Sequence, residues 1–91
     1  MKNRKLLIVD GDPKNLRILK NHFTEAGYQV DEASMDEEAV RLISQTSYNA
    51  ILSDLSGAQI DGLKILETLQ NDPRQDTAVF FLTAKNDVWS R

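Results

Sequence analysis

The sequence predicts an open α/β domain built on a parallel sheet, and three observations carry that expectation. Short apolar runs, LLIV at 6–9, AIL at 50–52 and VFFL at 79–82, alternate with charged stretches that hold apolar residues at helical spacing. Helical connections of that length between apolar strands imply parallel pairing through right-handed crossovers. Asp10, Asp54 and Thr83 each follow one of these runs at or near its end. Open sheets of this kind bind ligands beyond the carboxyl ends of their strands.

Taken in order, Lys5 to Asp10 reads as a fully buried strand, because Leu6, Leu7, Ile8 and Val9 run without polar alternation. Asp12 directly before Pro13 pairs a helix N-cap with a first-turn proline. The following helix is expected to bury Leu16, Leu19, Phe23 and Ala26 and to stop at Gly27. Tyr28 to Glu32 reads as a short strand anchored by Val30. Ser34 and Glu37 have capping-box spacing for a second helix, whose apolar face is Ala39, Val40, Leu42 and Ile43. Tyr48 to Ser53 is a third strand, ending at Asp54. The loop SGAQIDG follows, with Gly57 and Gly62 as turn residues. Leu63, Ile65, Leu66 and Leu69 give a third helix its buried side, closed before Pro73. Thr77 to Leu82 is a fourth strand, and AKNDVWSR resembles a loop entering the first turn of another helix.

Composition narrows the function. The 91 residues make a single small domain, spanning residues 1–91, with a modest core. There is no cysteine, so disulfides and thiolate metal sites are excluded. The N-terminal apolar run is short and ends in Asp10, which argues for a strand and against a signal peptide. No apolar stretch is long enough to cross a bilayer, so no membrane role and a cytoplasmic location are expected. A formal net charge of -3 without a basic stripe argues against nucleic-acid binding by this segment.

The acids at the strand ends suggest chemistry. If the strands ending at Asp10 and Asp54 are central neighbours, their carboxylates converge, and a cation would relieve the repulsion. Mg²⁺ suits oxygen ligands and retains waters that bridge to phosphate. One carboxylate could then act as nucleophile towards a phosphoryl group, with the Thr83 hydroxyl donating to one of its oxygens. Lys85 would add positive charge nearby. Asp12 is mainly a helix cap, and His22 reads as a partly exposed helix residue without a site role.

In order and spacing, KLLIVDGDPKNLRILKNHFTEAGYQVDEA, AILSDLSGAQIDGLKIL and VFFLTAK resemble the phosphoacceptor receiver domain of bacterial response regulators, over essentially the whole chain. The resemblance implies a flavodoxin-like, doubly wound parallel sheet. It also implies a place in a two-component phosphorelay, with a sensor histidine kinase as phosphoryl donor and Mg²⁺ as cofactor. On that basis Asp54 would be the phosphoacceptor. Asp10 would hold the metal with Asp54 and the backbone carbonyl of Ser56. Thr83 and Ala84 would accommodate the phosphoryl group.

The chain departs from the family pattern at three points. Gly11 stands where the family has its second acid, with Asp12 one residue on as an alternative metal donor. Ala58 stands where a proline is usual. The family's fifth strand, fifth helix and active-site lysine have no counterpart before Arg91, and Lys85 falls too early to replace that lysine. The resemblance therefore implies a truncated sheet of four strands in the order 2-1-3-4. Its fourth strand would be an edge open to self-association, to completion by a further segment, or to an output domain.

Two other functions fit parts of the pattern. A degenerate receiver would bind partners or dimerise without phosphorylation, as Gly11 and the absent lysine suggest. A haloacid-dehalogenase-type phosphohydrolase would use Asp10 as nucleophile and Asp12 as acid/base. Pro13 and the DLSGAQIDG segment fit receivers better. No G-x-G-x-x-G follows the first strand, which argues against a dinucleotide site.

Overall fold

The computed structural model describes residues 4–54, 61–71 and 77–82. Strands β1 (Lys5–Val9), β2 (Gln29–Ala33), β3 (Ala50–Asp54) and β4 (Ala78–Leu82) alternate with helices α1 (Pro13–Glu25), α2 (Asp36–Gln45) and α3 (Gly62–Gln70). The strands form one parallel sheet in the order β2-β1-β3-β4, with β1 and β3 as central neighbours.

Strand alternation sorts the core onto two faces. Leu7, Val9 and Ile51 point to one face, where they pack with Ala33, Ala39, Ile43, Tyr48 and Ile65 beneath α2 and α3. Leu6 and Ile8 point to the other, beneath α1, with buried Leu16 and partly buried Leu19, Phe23, Val30 and Leu52. Because β1 is covered on both faces, it reads as a continuous apolar run. Edge strand β2 instead alternates between exposed and partly buried residues until Ala33.

Several boundaries differ from the sequence reading for local reasons. Ala26 is the exposed C-cap of α1 and not part of its buried face; Gly27, at φ 101°, then supplies the left-handed turn. Strand β2 begins at Gln29, since the Tyr28 ring stands edge-on to Phe23 at 5.7 Å and belongs to the α1 packing. The residue that reaches back at the start of α2 is Glu38, not Glu37. Its Oε1 accepts from the Ser34 amide at 3.0 Å, and Met35 occupies the N-cap. Gly62 opens α3 as a helical residue, because Asp61 is the N-cap. Leu63 is 55% exposed, leaving Ile65 as the fully buried anchor of that helix.

Tyr48 precedes β3 yet lies in the core, where its hydroxyl donates to Asp31 Oδ2 on β2 at 2.6 Å. Its carbonyl accepts from Thr77 Oγ1 at 2.6 Å, just before β4. One residue thus links the two outer strands to the centre of the sheet. Burial, and secondarily the adjacent Asp31 carboxylate, push the Tyr48 phenol well above its ordinary pKa.

Candidate functional site at the carboxyl end of the sheet

The central strands bring two acidic positions to the same level. β1 and β3 pair in register from Leu6–Ala50 to Val9–Ser53, so Asp10 and Asp54 each stand one step beyond the last pair. Adjacent strands lie about 4.8 Å apart, which makes these positions neighbours at the carboxyl end of the sheet. The Asp10 amide extends the ladder by donating to the Ala33 carbonyl at 3.0 Å. Asp54 is the last residue of β3, where the Asp54–Leu82 pair holds its backbone against β4.

Asp10 is an unusual residue in energetic terms. It is 5% exposed, while its Oδ1 accepts from the Asp12 amide at 2.9 Å. Only that oxygen is engaged among the described residues. Burying a carboxylate is expensive unless pairing or several hydrogen bonds compensate it. The N-terminal end of α1 offers partial compensation, since the Asp12 amide opens that helix and its dipole favours negative charge there.

Asp12 itself is the N-cap of α1. Its Oδ1 accepts from the Lys14 amide at 2.9 Å, and its exposed position confirms the capping role read from Asp-Pro. Gly11 has no left-handed backbone and little around it. A Cβ built there would meet only the Ser34 carbonyl oxygen, at an ordinary 3.9 Å. The backbone therefore does not require glycine at this position. His22 is an α1 residue more exposed than the sequence reading, which had it partly exposed.

The donor set can be tested against Mg²⁺. Among the described residues, no group of three or more acidic, histidine or cysteine side chains could hold a metal ion. The Asp10 carboxylate and the neighbouring Asp54 position nonetheless fit a cation that takes few protein oxygens and keeps its waters. Ser56, Ala58, Thr83, Ala84, Lys85 and Trp89 lie outside the described residues, as does Gly57.

Two features of this end of the molecule escaped the sequence reading. Asp36, in the first turn of α2, accepts the Asp61 amide through Oδ2 at 3.0 Å. Ser53 is fully buried, and its hydroxyl has no hydrogen-bond partner among the described residues. Neither has a local sequence signature: the Asp36 contact spans 25 residues, and a serine in a strand reads as neutral.

A parallel sheet flanked by helices, with two acids at the carboxyl ends of its central strands, is an open α/β domain with its polar residues at the ligand-binding end. The profile of the response regulator receiver domain matches residues 6–90, and the chain belongs to that family, whose members act as phosphoacceptors in two-component systems. The transcriptional regulatory protein SrrA of Staphylococcus aureus (strain NCTC 8325 / PS 47) is 30% identical over 89 residues, covering 98% of this chain and 36% of that protein. The chain thus spans little more than a third of that relative. Among solved structures, the response regulator TrrA of Thermotoga maritima, in complex with Mg²⁺ and BeF, is similar at a TM-score of 0.80. It is 28% identical, and the match covers 96% of this chain and 75% of that one. The chemotaxis response regulator CheY4 of Vibrio cholerae shares the fold at a TM-score of 0.83 and 21% identity, over 93% and 72% of the two chains. Among the described residues, no helix is long and apolar enough to cross a membrane.

Proposed function

We propose that this chain accepts a phosphoryl group on Asp54 from a sensor histidine kinase, with Mg²⁺ held between Asp10, Asp54 and the Ser56 carbonyl. The observation that carries this reading is Asp10: a buried carboxylate at the same level as Asp54 on the adjacent central strand. An Asp54 oxygen forms the new O–P bond as the bond from phosphorus to the donor imidazole nitrogen breaks, the electron pair leaving with that nitrogen. Bound Mg²⁺ would supply charge neutralisation on the transferring oxygens. Asp10 orients the metal side of the site, and the Asp12 amide fixes the Asp10 rotamer. Thr83 and Ala84 accommodate the phosphoryl group from the end of β4. Mg²⁺ in the TrrA complex supports the choice of cation. The reading extends to a cytoplasmic location, and to an output carried by a longer protein, as the name of SrrA suggests.

A second reading is a receiver that binds partners without phosphorylation. Gly11 favours it, because this position adds no carboxylate to Asp10. In that case the outer edge of β4, which pairs only with β3 among the described residues, is a site for self-association or for a further segment. Intact mass after incubation with Mg²⁺ and a small phosphodonor, run beside D54N, separates the two readings. A phosphoryl adduct on the parent that D54N lacks supports the phosphoacceptor. Absence of the adduct in folded parent protein refutes it and leaves the binding module.

A further inference from the structure

The flank of α1 beside edge strand β2 holds a groove of about 380 Å³, lined by Pro13, Leu16, Arg17, Lys20, Asn21 and Glu32. None of these residues belongs to the Asp10–Asp54 pair. Helical spacing explains the lining: Pro13, Arg17 and Asn21 recur every four residues, as do Leu16 and Lys20, so all five share one flank. Glu32 meets them from β2 because strand alternation turns it, with Val30, towards α1, while Asp31 faces Tyr48 on the opposite side. Lys20 Nζ joins the two walls by pairing with Glu32 Oε2 at 3.4 Å. Leu16, 7% exposed, and Pro13 supply the apolar part of the groove.

We propose that this groove binds a small phosphate monoester, with Arg17, Lys20 and Asn21 holding the phosphate and Pro13 and Leu16 receiving an apolar body. The inference does not depend on phosphoryl transfer to Asp54. Arg17 is exposed and pairs with no acid among the described residues, so its donor fork is available for two phosphate oxygens. The Asn21 side-chain amide donates from the next turn of the same flank. Lys20 is shared with Glu32, but that pair is half exposed and weak, which lets the ammonium turn towards an arriving anion. Two cations against one acid make the groove locally positive on a chain whose formal net charge is -3. Three donor side chains suit the three terminal oxygens of a phosphate monoester better than the two of a carboxylate. The volume falls at the lower end of the range of about 300–1,000 Å³ for small-molecule pockets, which combine apolar walls with a few polar anchors in this way.

The test titrates phenyl phosphate into the full chain and follows amide chemical shifts, with chelator present so that no Mg²⁺ takes part. Saturable shifts are expected at Arg17, Lys20, Asn21 and Glu32, with a dissociation constant of about 1 mM. R17Q is expected to weaken binding about five-fold. E32Q releases Lys20 and removes a like charge, and is expected to tighten binding about three-fold. R41Q removes the same charge as R17Q from the exposed side of α2 and is expected to match the parent. Folding of each variant is read from its own amide spectrum. Absence of shifts at the four groove amides, up to about twenty times the expected constant, overturns the proposal. So does weakening in R41Q equal to that in R17Q, which would trace binding to net charge, or an E32Q that fails to bind more tightly. Benzoate or inorganic phosphate binding as tightly as phenyl phosphate also overturns it, since the first lacks the phosphate and the second the apolar body.

Discussion

Restoring an acid at position 11 is the sharpest probe of the metal reading. G11D is sterically permitted, because the Cβ would meet one carbonyl oxygen at 3.9 Å and the backbone is not left-handed. Without metal, two opposing effects nearly cancel. Replacing glycine restricts the unfolded chain and stabilises by about 0.4–1 kcal/mol. A second carboxylate beside Asp10 costs about 1 kcal/mol in a solvent-exposed setting, and position 11 is exposed. Metal-free G11D should therefore melt close to the parent. With Mg²⁺ the balance changes, since one more carboxylate ligand is expected to tighten binding by about ten-fold, or about 1.4 kcal/mol. At a Mg²⁺ concentration about ten times the parent dissociation constant, linkage stabilises the parent by about 1.4 kcal/mol and G11D by about 2.7 kcal/mol. In a domain of this size the difference is a further rise of about 5–10 °C in Tm. The assay is thermal unfolding followed by circular dichroism, with Mg²⁺ and with chelator. If G11D gains no more from Mg²⁺ than the parent, the metal is not held at this strand end. If metal-free G11D loses several kcal/mol, the space beside Ser34 is not what the geometry states.

Three further outcomes are expected. D12A removes the N-cap of α1 and should cost about 1 kcal/mol in chemical denaturation; no loss would mean that the Lys14 amide finds another acceptor. Y48F should cost about 1 kcal/mol near neutral pH through the lost bond to Asp31. The folded phenol is raised above its unfolded value, so that advantage is complete below about pH 10 and declines as pH rises further; an advantage that grows in alkali would contradict the assignment. S53A removes a buried hydroxyl without a partner among the described residues and should stabilise by about 1 kcal/mol, whereas a clear loss would reveal a partner for it.

Much of the fold was legible because local chemistry and global packing agree. The unbroken apolar run of β1 follows from its place between two covered faces, and Asp-Pro marks the start of α1 through a cap that the structure contains. The misreadings fall where a neighbouring element overrides the local pattern. Ala26 and Leu63 have apolar character at helical spacing, yet each sits exposed at a helix terminus, unlike the buried Leu16 and Ile65. Glu37 has the capping-box spacing from Ser34, but the helix starts one residue later, which hands the contact to Glu38.

The candidate site was legible for a different reason. A carboxylate after a buried strand has little reason to be there unless something compensates it, and two such strands become informative once they are adjacent and in register. That inference reaches Asp10 and Asp54 because both are encoded by short-range pattern. It does not reach Asp36, whose contact depends on how α2 and α3 start beside each other, nor Tyr48, whose hydroxyl crosses beneath the sheet to β2. The same distinction explains why Gly11 is nearly silent for fold. Its backbone needs no glycine and its Cβ position is open, so folding places little demand on the residue there. G11D therefore tests the charge beside Asp10 without disturbing the frame that holds it.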